Sequence, residues 1–597
     1  MDARASAKPI TSAAIAASRH PAKTGNHIRR PLVWLGLLWV AAFLSRLIAG
    51  SVLRGPYIFP DEFDYWEMAR SFVATGHFQL YQVPTPLPTV LYPLSISPAF
   101  LWHSPLQQYL AVRVISAILI TAVVLPTYGF ARELVSERLA LAAALLVFLN
   151  PSGIYASTVM AENLFFPVSI FSLWMAYRTL LRGHCPDALA AGGLFCVGFF
   201  VKIQQVFLVV AYAVPVTVWI VTELISSKRH NTSKAVFRGA LVRTLPSLIF
   251  LAMITFRWAT GHAGYHGFAA SVFGEAYASI TGFQGHIDKV WFLASALGLF
   301  EVLCLSTLVV PMASLFCALS GWRELPRNTK LLWWLVMASA GVYILLIARH
   351  NALHDNSWRV HERYVFVVTP LLWIFFFAVY KNLRQRTLFA ITLAIGAVCA
   401  LSIGRMIQAG AINWASPMDS ATLTSLWYLY FRHSPVQPVG FIFILVAVSV
   451  LGAYLLRRGA VRTTVAIFVV TLLLMNSAWY ILERKYIYKR RKEEIRSELE
   501  LRKIVSGSGP VAMLYNVEEH PEYLPAMFDT FFWLENPVTV YGKRDAFSPS
   551  TMPSKIDFSN IPEHYVVCFG DNGPELPLLR RWTNPKMSLY RNEPLTR

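Results

Sequence analysis

Long apolar runs dominate this sequence, and they limit the chain to folds that are built within a lipid bilayer. A helix needs about 20 apolar residues to cross the hydrocarbon core. Hydrophobic residues make up 55% of the 597-residue chain and the mean hydropathy is +0.48. Charged residues make up 14%, against roughly 25% in a soluble domain. We predict about thirteen spans, at 31–50, 108–131, 138–155, 160–181, 187–203, 205–225, 237–258, 290–320, 330–349, 363–380, 387–407, 437–456 and 462–482.

Basic residues cluster in the short loops between alternate runs, as Arg178 and Arg182 do. Short basic loops stay in the cytoplasm, so we predict an N-terminus inside and a C-terminus outside. The net charge of +20 is then explained by membrane insertion and not by nucleic-acid binding. Residues 1–30 are predicted to be a disordered cytoplasmic tail, because the run that follows is too long for a signal peptide. We place the chain in a bacterial inner (plasma) membrane, with the endoplasmic reticulum as the alternative.

The spans end near residue 482, and 483–597 predicts a small α/β domain outside the membrane. A charged amphipathic helix over Glu483 to Lys503 is followed by alternating helix- and strand-like runs. The strands are predicted at Val511–Tyr515, Val538–Tyr541, Tyr565–Phe569 and Met587–Tyr590, with a helix near Leu524 to Glu535. No Walker or GxGxxG loop is present, so we expect no nucleotide site. The six cysteines show no CxxC spacing and predict no disulfide framework.

Carboxylates are concentrated in the first outside loop, residues 51–107. Asp61 and Glu62 lie in the first turn of a predicted helix, and Asp61, Asp64 and Glu67 share one of its faces. A carboxylate at the lipid–water boundary can remove a proton from a hydroxyl group. The alternative is that these acids only cap the helix, because acids favour helix N-termini.

This acidic pair, followed by an aromatic-rich helix, resembles the first outside loop of the GT-C glycosyltransferases. The pattern is most similar to the protein O-mannosyltransferases and the lipid A aminoarabinose transferases. Arg46 near the outer end of the first span fits the resemblance, as does Glu162 at the start of the fourth. Glu362-Arg363-Tyr364 before a late span fits as well. One stretch departs from the family, since 92–98 lacks the Lys or Arg that relatives often place there.

The resemblance implies a GT-C fold over residues 31–482, with the catalytic acids in the first outside loop. It implies transfer of a hexosyl or pentosyl group from a polyprenyl-phosphate donor to a lipid, glycan or protein hydroxyl, with inversion. Asp61 would be the general base and Glu62 would orient the acceptor. No cofactor is expected, and a divalent cation is the alternative. The implied substrate-binding residues are Asp64, Glu162, Lys202, Arg359, Arg363, Tyr364 and Arg46.

Each of these residues has a simpler interpretation. Arg46 and Lys202 lie near span ends, where cations commonly anchor a helix at the interface. Glu162 would only cap a helix, and Arg359 and Arg363 would be solvated loop charges. His350, His354 and His361 are metal-ligand types in one outside loop, but their spacing matches no closed motif.

Two other enzyme and transport functions compete with this hypothesis. A GT-C oligosaccharyltransferase or ligase would use a lipid diphosphate donor, and the oligosaccharyltransferases typically bind a divalent cation. A secondary transporter would carry ionisable residues and broken helices near the bilayer midplane, whereas the charges of this chain gather at the outer rim. A scaffold without activity would tolerate replacement of Asp61.

Overall fold

In a computed structural model the chain is a helical bundle followed by a small sheet domain. The structure describes residues 29–50, 60–80, 83–85, 87–230, 233–260, 272, 287–353, 360–408, 420–425, 439–482, 488–509, 511–514, 530, 533–534, 538–541, 563–569, 578–583 and 586–591. The helices are α1 (Arg29–Gly50), α2 (Pro60–Thr75), α3 (Leu91–Ile96), α4 (Pro105–Thr121), α5 (Val124–Arg132), α6 (Glu137–Phe148), α7 (Glu162–Arg182), α8 (Cys185–Val201), α9 (Gln205–His230), α10 (Ser233–Thr260), α11 (Lys289–Ser306), α12 (Val310–Ser320), α13 (Arg327–Leu353), α14 (Glu362–Val365), α15 (Thr369–Val379), α16 (Gln385–Gln408), α17 (Val439–Arg457), α18 (Val461–Leu482) and α19 (Tyr488–Val505).

The helices confirm the membrane architecture but not the number of spans. Within the described ranges, nine helices are long and apolar enough to cross a membrane, or ten if the bent pair Glu137–Phe148 and Pro151–Ser157 counts as one span. The first, fifth and twelfth predicted spans correspond to the shorter apolar helices Leu32–Ile48, Cys185–Val201 and Phe443–Arg457. Thirteen was therefore too definite a count, because apolar runs do not reveal where a helix bends or stops short.

Two of the predicted spans are interrupted. The run at 138–155 bends by 60° at Asn150-Pro151, where a 3₁₀ turn (Pro151–Ser157) replaces the α-helix. The run at 290–320 separates into α11 and α12 at Leu308 and Val309, both of which have positive φ. The Asn150 side-chain amide donates to the Ser306 carbonyl at 3.3 Å, so the two breaks lie against each other.

The helix α14–α15 lies at the centre of the bundle. Residues Glu362–Val379 are 83% buried over their apolar window, whereas Lys234–Thr260 are only 22% buried. One continuous apolar cluster surrounds this central helix and extends from α4 to α18. Because α14–α15 is enclosed by protein, the polar residues at its start face other side chains and not lipid.

The residues after the bundle form a five-stranded sheet. Its strands are β3 (Val511–Leu514), β4 (Val538–Tyr541), β5 (Tyr565–Phe569), β6 (Leu578–Thr583) and β7 (Lys586–Arg591), in the order β4-β3-β5-β7-β6. β3 pairs in parallel with β4 and β5, while β7 pairs antiparallel with β5 and β6. The four predicted strands are present. β6 was not predicted, because its two arginines interrupt the apolar pattern of a strand. The helix expected near Leu524 to Glu535 lies largely outside the described residues.

Helix α2 lies between the bundle and this sheet domain. Its Tyr65 and Trp66 pack with Tyr92 and Tyr109 on the bundle side. A short antiparallel pair, β1 (Gln79–Leu80) and β2 (Val83–Pro84), follows the helix. We call the end of the bundle that carries α2 the loop end.

Candidate active site

Helix α2 brings its first two carboxylates to different environments at the loop end. The Glu62 side chain is buried and accepts a hydrogen bond from the Val159 backbone N–H at 2.9 Å. This bond ties α2 to the segment that precedes α7. The Asp61 side chain is 38% exposed and faces Arg363, with Nη1 at 3.3 Å from its Oδ2. Asp61 is thus the more accessible of the two carboxylates, as a base that meets a substrate must be.

A second ion pair lies beside the first. Glu162, at the start of α7, pairs with Lys202, which follows the end of α8. Their side chains are 1% and 6% exposed, so both charges are withdrawn from water. The other Glu162 oxygen, Oε2, has no hydrogen-bond partner within the described part of the chain. This pair is therefore held by charge attraction in a poorly hydrated place.

Tyr364 connects the two pairs. The Lys202 ammonium lies 4.9 Å and the Arg363 guanidinium 4.8 Å from the centre of the Tyr364 ring. Arg363 Nη2 also donates to the Tyr364 hydroxyl at 2.8 Å. The charges of Asp61, Glu162, Lys202 and Arg363 act on one another. Two cations and two carboxylates thus form one cluster around a single aromatic ring.

Glu362, one residue before Arg363, is a structural junction. Its carboxylate is buried and accepts hydrogen bonds from Ser152 Oγ at 2.6 Å, Thr422 Oγ1 at 2.7 Å, the Thr422 backbone N–H at 2.9 Å and Ser420 Oγ. These donors come from the 3₁₀ turn after Asn150 and from residues 420–425. With four donors around it, the carboxylate fixes the start of the central helix and hence the position of Arg363.

Asp64 lies one turn after Asp61 in α2. Burial raises the pKa of the Asp64 carboxyl to about 8, and the negative charge of Asp61 adds to this rise. A carboxyl with this pKa carries a proton at neutral pH. Asp64 can therefore donate a hydrogen bond near Asp61, which an ionised carboxylate cannot do.

Tyr92 lies in the stretch that departs from the family by lacking a cation. Its hydroxyl is 2.9 Å from Ser116 Oγ. Burial raises the pKa of the Tyr92 phenol, and the charges of Glu62 and Glu162 raise it further. A neutral side chain in this stretch thus interacts electrostatically with both carboxylates.

Arg46 makes its hydrogen bonds with α6 and α18. Its guanidinium donates to Asn476 Oδ1 at 2.9 Å and to the Phe148 carbonyl at 2.8 Å, and it lies 5.0 Å from the Phe148 ring. A Cβ at Gly153 would lie 2.2 Å from the same guanidinium, so glycine leaves it the space it occupies. Arg46 joins α1, α6 and α18.

The histidines do not form a metal site among the residues that the structure describes. No group of three or more His, Cys, Asp or Glu side chains there is arranged to hold a metal ion. The buried His361 ring lies 5.4 Å from the Tyr364 ring, and His350 is at the end of α13. His354 and Arg359 lie outside the described residues.

Sequence reasoning missed several polar residues. Ser152, Ser420 and Thr422 carry no sequence signal, because hydroxyl side chains are common in loops and spans alike. Glu301, in α11, is an acid that is fully buried inside the bundle. A single acid in the middle of a long apolar run was the signal that could have identified it.

Comparisons with known proteins agree with this architecture. Residues 106–251, about a quarter of the chain, match the family model described as dolichyl-phosphate-mannose-protein mannosyltransferase. No curated protein sequence matches the chain.

Solved structures with a similar fold include ArnT from Cupriavidus metallidurans bound to undecaprenyl phosphate. The TM-score is 0.59 at 14% identity, over 93% of this chain and 97% of that chain. The apo state of the same ArnT gives 0.57 at 13% identity, over 94% and 98%. Arabinosyltransferase EmbB from Mycobacterium smegmatis gives 0.40 at 14% identity, over 75% and 41%. Residues 106–251 thus resemble the mannosyltransferase family, and the two ArnT structures show that this chain has the ArnT fold.

Proposed function

We propose that this chain is a membrane glycosyltransferase that moves a sugar from a polyprenyl-phosphate donor to an acceptor hydroxyl at the outer face of the membrane. The observation that carries the proposal is the cluster of Asp61, Arg363, Lys202 and Glu162 around Tyr364. It provides a base and two cations in one place. It lies at the loop end of the bundle, and we propose that the lipid headgroup binds there.

The two cations suit a phosphate leaving group. When the bond between the anomeric carbon and the phosphate oxygen breaks, the electron pair remains on the lipid phosphate, whose negative charge increases. Arg363 and Lys202 would stabilise that charge, because charge-assisted hydrogen bonds are strong where water is excluded. Their present partners, Asp61 and Glu162, balance the two positive charges until the donor binds.

Asp61 suits the role of general base. As the acceptor oxygen attacks the anomeric carbon from the side opposite the phosphate, its proton passes to the Asp61 carboxylate. This single displacement inverts the anomeric centre. Glu62 would orient the acceptor through its bond to Val159, which fixes the first turn of α2. Asp64 would keep a proton and donate a hydrogen bond to the sugar or to the acceptor.

The architecture and a protein of the same fold support an isoprenoid lipid as part of the donor. ArnT, which has this fold, was solved with undecaprenyl phosphate bound. An isoprenoid tail would lie in the bilayer beside the bundle, with its phosphate at the loop end. We propose that no metal is required, since Arg363 and Lys202 already supply positive charge for the phosphate. We propose a bacterial inner-membrane location with the C-terminal domain outside, because the short basic loops between alternate spans favour this orientation.

The proposal is tested with the full-length purified protein and undecaprenyl phosphate. We expect native mass spectrometry to detect one bound lipid phosphate, and Arg363→Ala to weaken that binding at least tenfold. Asp187→Asn is the matched control, because Asp187 forms its ion pair with Arg178 near the opposite end of α7. Equal binding by wild type and Arg363→Ala would contradict the phosphate assignment.

Activity is then measured with polyprenyl-phosphate sugars extracted from membranes. Mass spectrometry of the products identifies the sugar and tells whether the acceptor is a lipid, a glycan or a protein. The same assay with chelator tests the metal-free mechanism, and loss of turnover with chelator would favour the diphosphate-donor enzymes. Full turnover by Asp61→Asn would remove the catalytic proposal.

A further inference from the structure

Helix α2 contributes a side chain to the core of the C-terminal domain. Phe63, two residues after Asp61, is 3% exposed and packs in the apolar cluster formed by the sheet and α19. Its partners in that cluster include Leu501, Val511, Met513, Val567, Met587 and Leu589. The domain therefore lacks a complete core of its own, because one of its large apolar side chains belongs to the helix of the candidate base.

A polar contact fixes the other end of the same helix. Arg70 Nη1 donates to the Leu534 carbonyl at 2.6 Å, and Arg70 Nη2 lies 2.5 Å from Glu67 Oε2. The carbonyl belongs to the C-terminal domain, whereas Glu67 lies one turn earlier in α2. The arginine is thus held in place by its own helix while it bonds the domain.

Aromatic rings provide a third contact. The Tyr109 ring, in α4 of the bundle, lies 6.4 Å from the Trp66 ring and 6.3 Å from that of Trp533. Trp533 is fully buried in the C-terminal domain. The bundle, α2 and the domain therefore meet in one packed cluster. A shift of α2 would disturb its packing against both the bundle and the domain.

We infer that the C-terminal domain positions the catalytic helix, with Phe63 as the positioning residue through which the domain fixes Asp61 opposite Arg363. This inference rests on the proposed function for the role of Asp61. Asp61 and Phe63 are separated by one residue, so displacement of the phenyl ring moves the first turn of α2. Because the Asp61–Arg363 contact is 3.3 Å long, a shift of about 1 Å at that turn is large enough to impair catalysis.

The coupling can be measured without any activity assay, through a cysteine that the domain already contains. Cys568 in β5 is buried on the opposite face of the sheet from Val567 and the Phe63 cluster, so its reactivity reports opening of the whole domain. Burial raises the pKa of the Cys568 thiol to about 12, so it reacts slowly while the domain is closed. Cys185 is exposed at the start of α8 and serves as the internal reference.

We expect Phe63→Ala to raise the alkylation rate of Cys568 about tenfold in the full-length protein, because the vacated core opens more often. The rate at Cys185 should not change. Phe63→Leu keeps an apolar group in place and should stay within about twofold of wild type. Peptide mass spectrometry after timed alkylation gives both rates. An unchanged Cys568 rate in Phe63→Ala would overturn the inference.

The reverse direction tests whether the domain acts on the base. Val567→Ala changes only the domain core, and we expect kcat to fall about tenfold while KM for the donor changes less than twofold. Val73→Ala, on the exposed part of α2, is the control and should leave both constants unchanged.

The two proposals fail in different ways. If Asp61→Asn keeps full activity, the proposed function is wrong, but the Cys568 rates still decide whether Phe63 completes the domain. If Asp61→Asn is inactive while Val567→Ala keeps wild-type kcat, the proposed function stands and the positioning role is wrong. Purification of Phe63→Leu provides a folded variant if Phe63→Ala does not accumulate.

Discussion

Arg363 Nη1 lies 3.3 Å from Asp61 Oδ2, although the two residues are about three hundred positions apart in the chain. The contact joins the first helix after span one to the start of the most buried span. An arginine there balances the carboxylate, and in the proposed mechanism it also binds the donor phosphate. In the proposed mechanism the pair links the base to the leaving group, and the first two predictions probe this contact.

Asp61→Asn should reduce kcat by about 10²- to 10⁴-fold, the usual contribution of a general base. The amide keeps the size of the side chain but cannot accept the proton of the acceptor hydroxyl. Binding of undecaprenyl phosphate should be retained, because the asparagine leaves Arg363 in place. Turnover and lipid binding are measured on the same preparation. Loss of both together would indicate a folding defect instead.

Arg363→Lys should bind the donor phosphate less tightly than wild type, but more tightly than Arg363→Ala. Lysine keeps one positive charge, yet it cannot bond Tyr364 and a phosphate through a planar fork. Arg580→Lys is the control, because Arg580 pairs with Glu500 on the exposed surface of the C-terminal domain. Titration with undecaprenyl phosphate measures the affinities of wild type and the two variants. Equal affinity of Arg363→Lys and Arg363→Ala would show that the positive charge at this position does not contribute to phosphate binding.

The candidates in the cluster could be found from the sequence, but their pairing could not. Asp61, Glu162, Lys202 and Arg363 each stand out as charges beside apolar runs. Which carboxylate meets which cation depends on how distant spans pack, and no local pattern encodes that. The same holds for Arg46. The sequence places an arginine near the end of a span but does not tell whether it binds a phosphate or joins three helices.

The fold could be predicted as far as local physics determines it. Apolar length predicted the membrane spans, and short apolar runs predicted four of the five strands in the C-terminal sheet. The breaks at Asn150-Pro151 and at Leu308 to Val309 depend on contacts between helices. For the first break the sequence signal is Pro151. The place of Phe63 in the core of a domain four hundred residues later had no sequence signal at all.

Loss of one partner from the Lys202–Glu162 pair should destabilise the protein by about 3–5 kcal/mol, since it leaves a buried charge unbalanced. Lys202→Met and Glu162→Gln are the single variants. The double variant with methionine at both positions should be more stable than Lys202→Met alone, because no charge remains. Thermal unfolding in detergent measures the three. The exposed Arg327–Glu223 pair is the control, and its loss should cost under about 1 kcal/mol.

Glu362→Gln should lower both stability and activity, because the Glu362 carboxylate accepts hydrogen bonds from four donors. The glutamine amide can replace one oxygen, but its NH₂ group would face a hydroxyl or the fixed Thr422 N–H. We expect a loss of about 1–3 kcal/mol. Thr422→Ser keeps the hydroxyl bond and should resemble wild type, whereas Thr422→Val removes it. If the two threonine variants unfold at the same temperature, the hydrogen bond from Thr422 to Glu362 does not stabilise the start of the central helix.

The final prediction concerns pH and Asp64. Its pKa is raised from 3.8 to about 8 by burial and by Asp61, so the folded protein binds a proton that the unfolded chain releases near pH 4. The stability that this proton contributes is complete below about pH 4. It falls as the pH rises toward 8, because the cost of a buried carboxylate then appears.

Asp64→Asn imitates the protonated form and cannot ionise. We therefore expect the unfolding temperature of the variant to depend less on pH than that of wild type between about pH 4 and 8, and its turnover to depend less on pH around pH 8. In wild type, activity should decline through about pH 8 as Asp64 gains a charge next to the base. Asp187→Asn, near the opposite end of α7, should keep the wild-type profile. If Asp64→Asn and wild type lose activity with the same midpoint, another group titrates there. The proton on Asp64 would then have no part in the reaction.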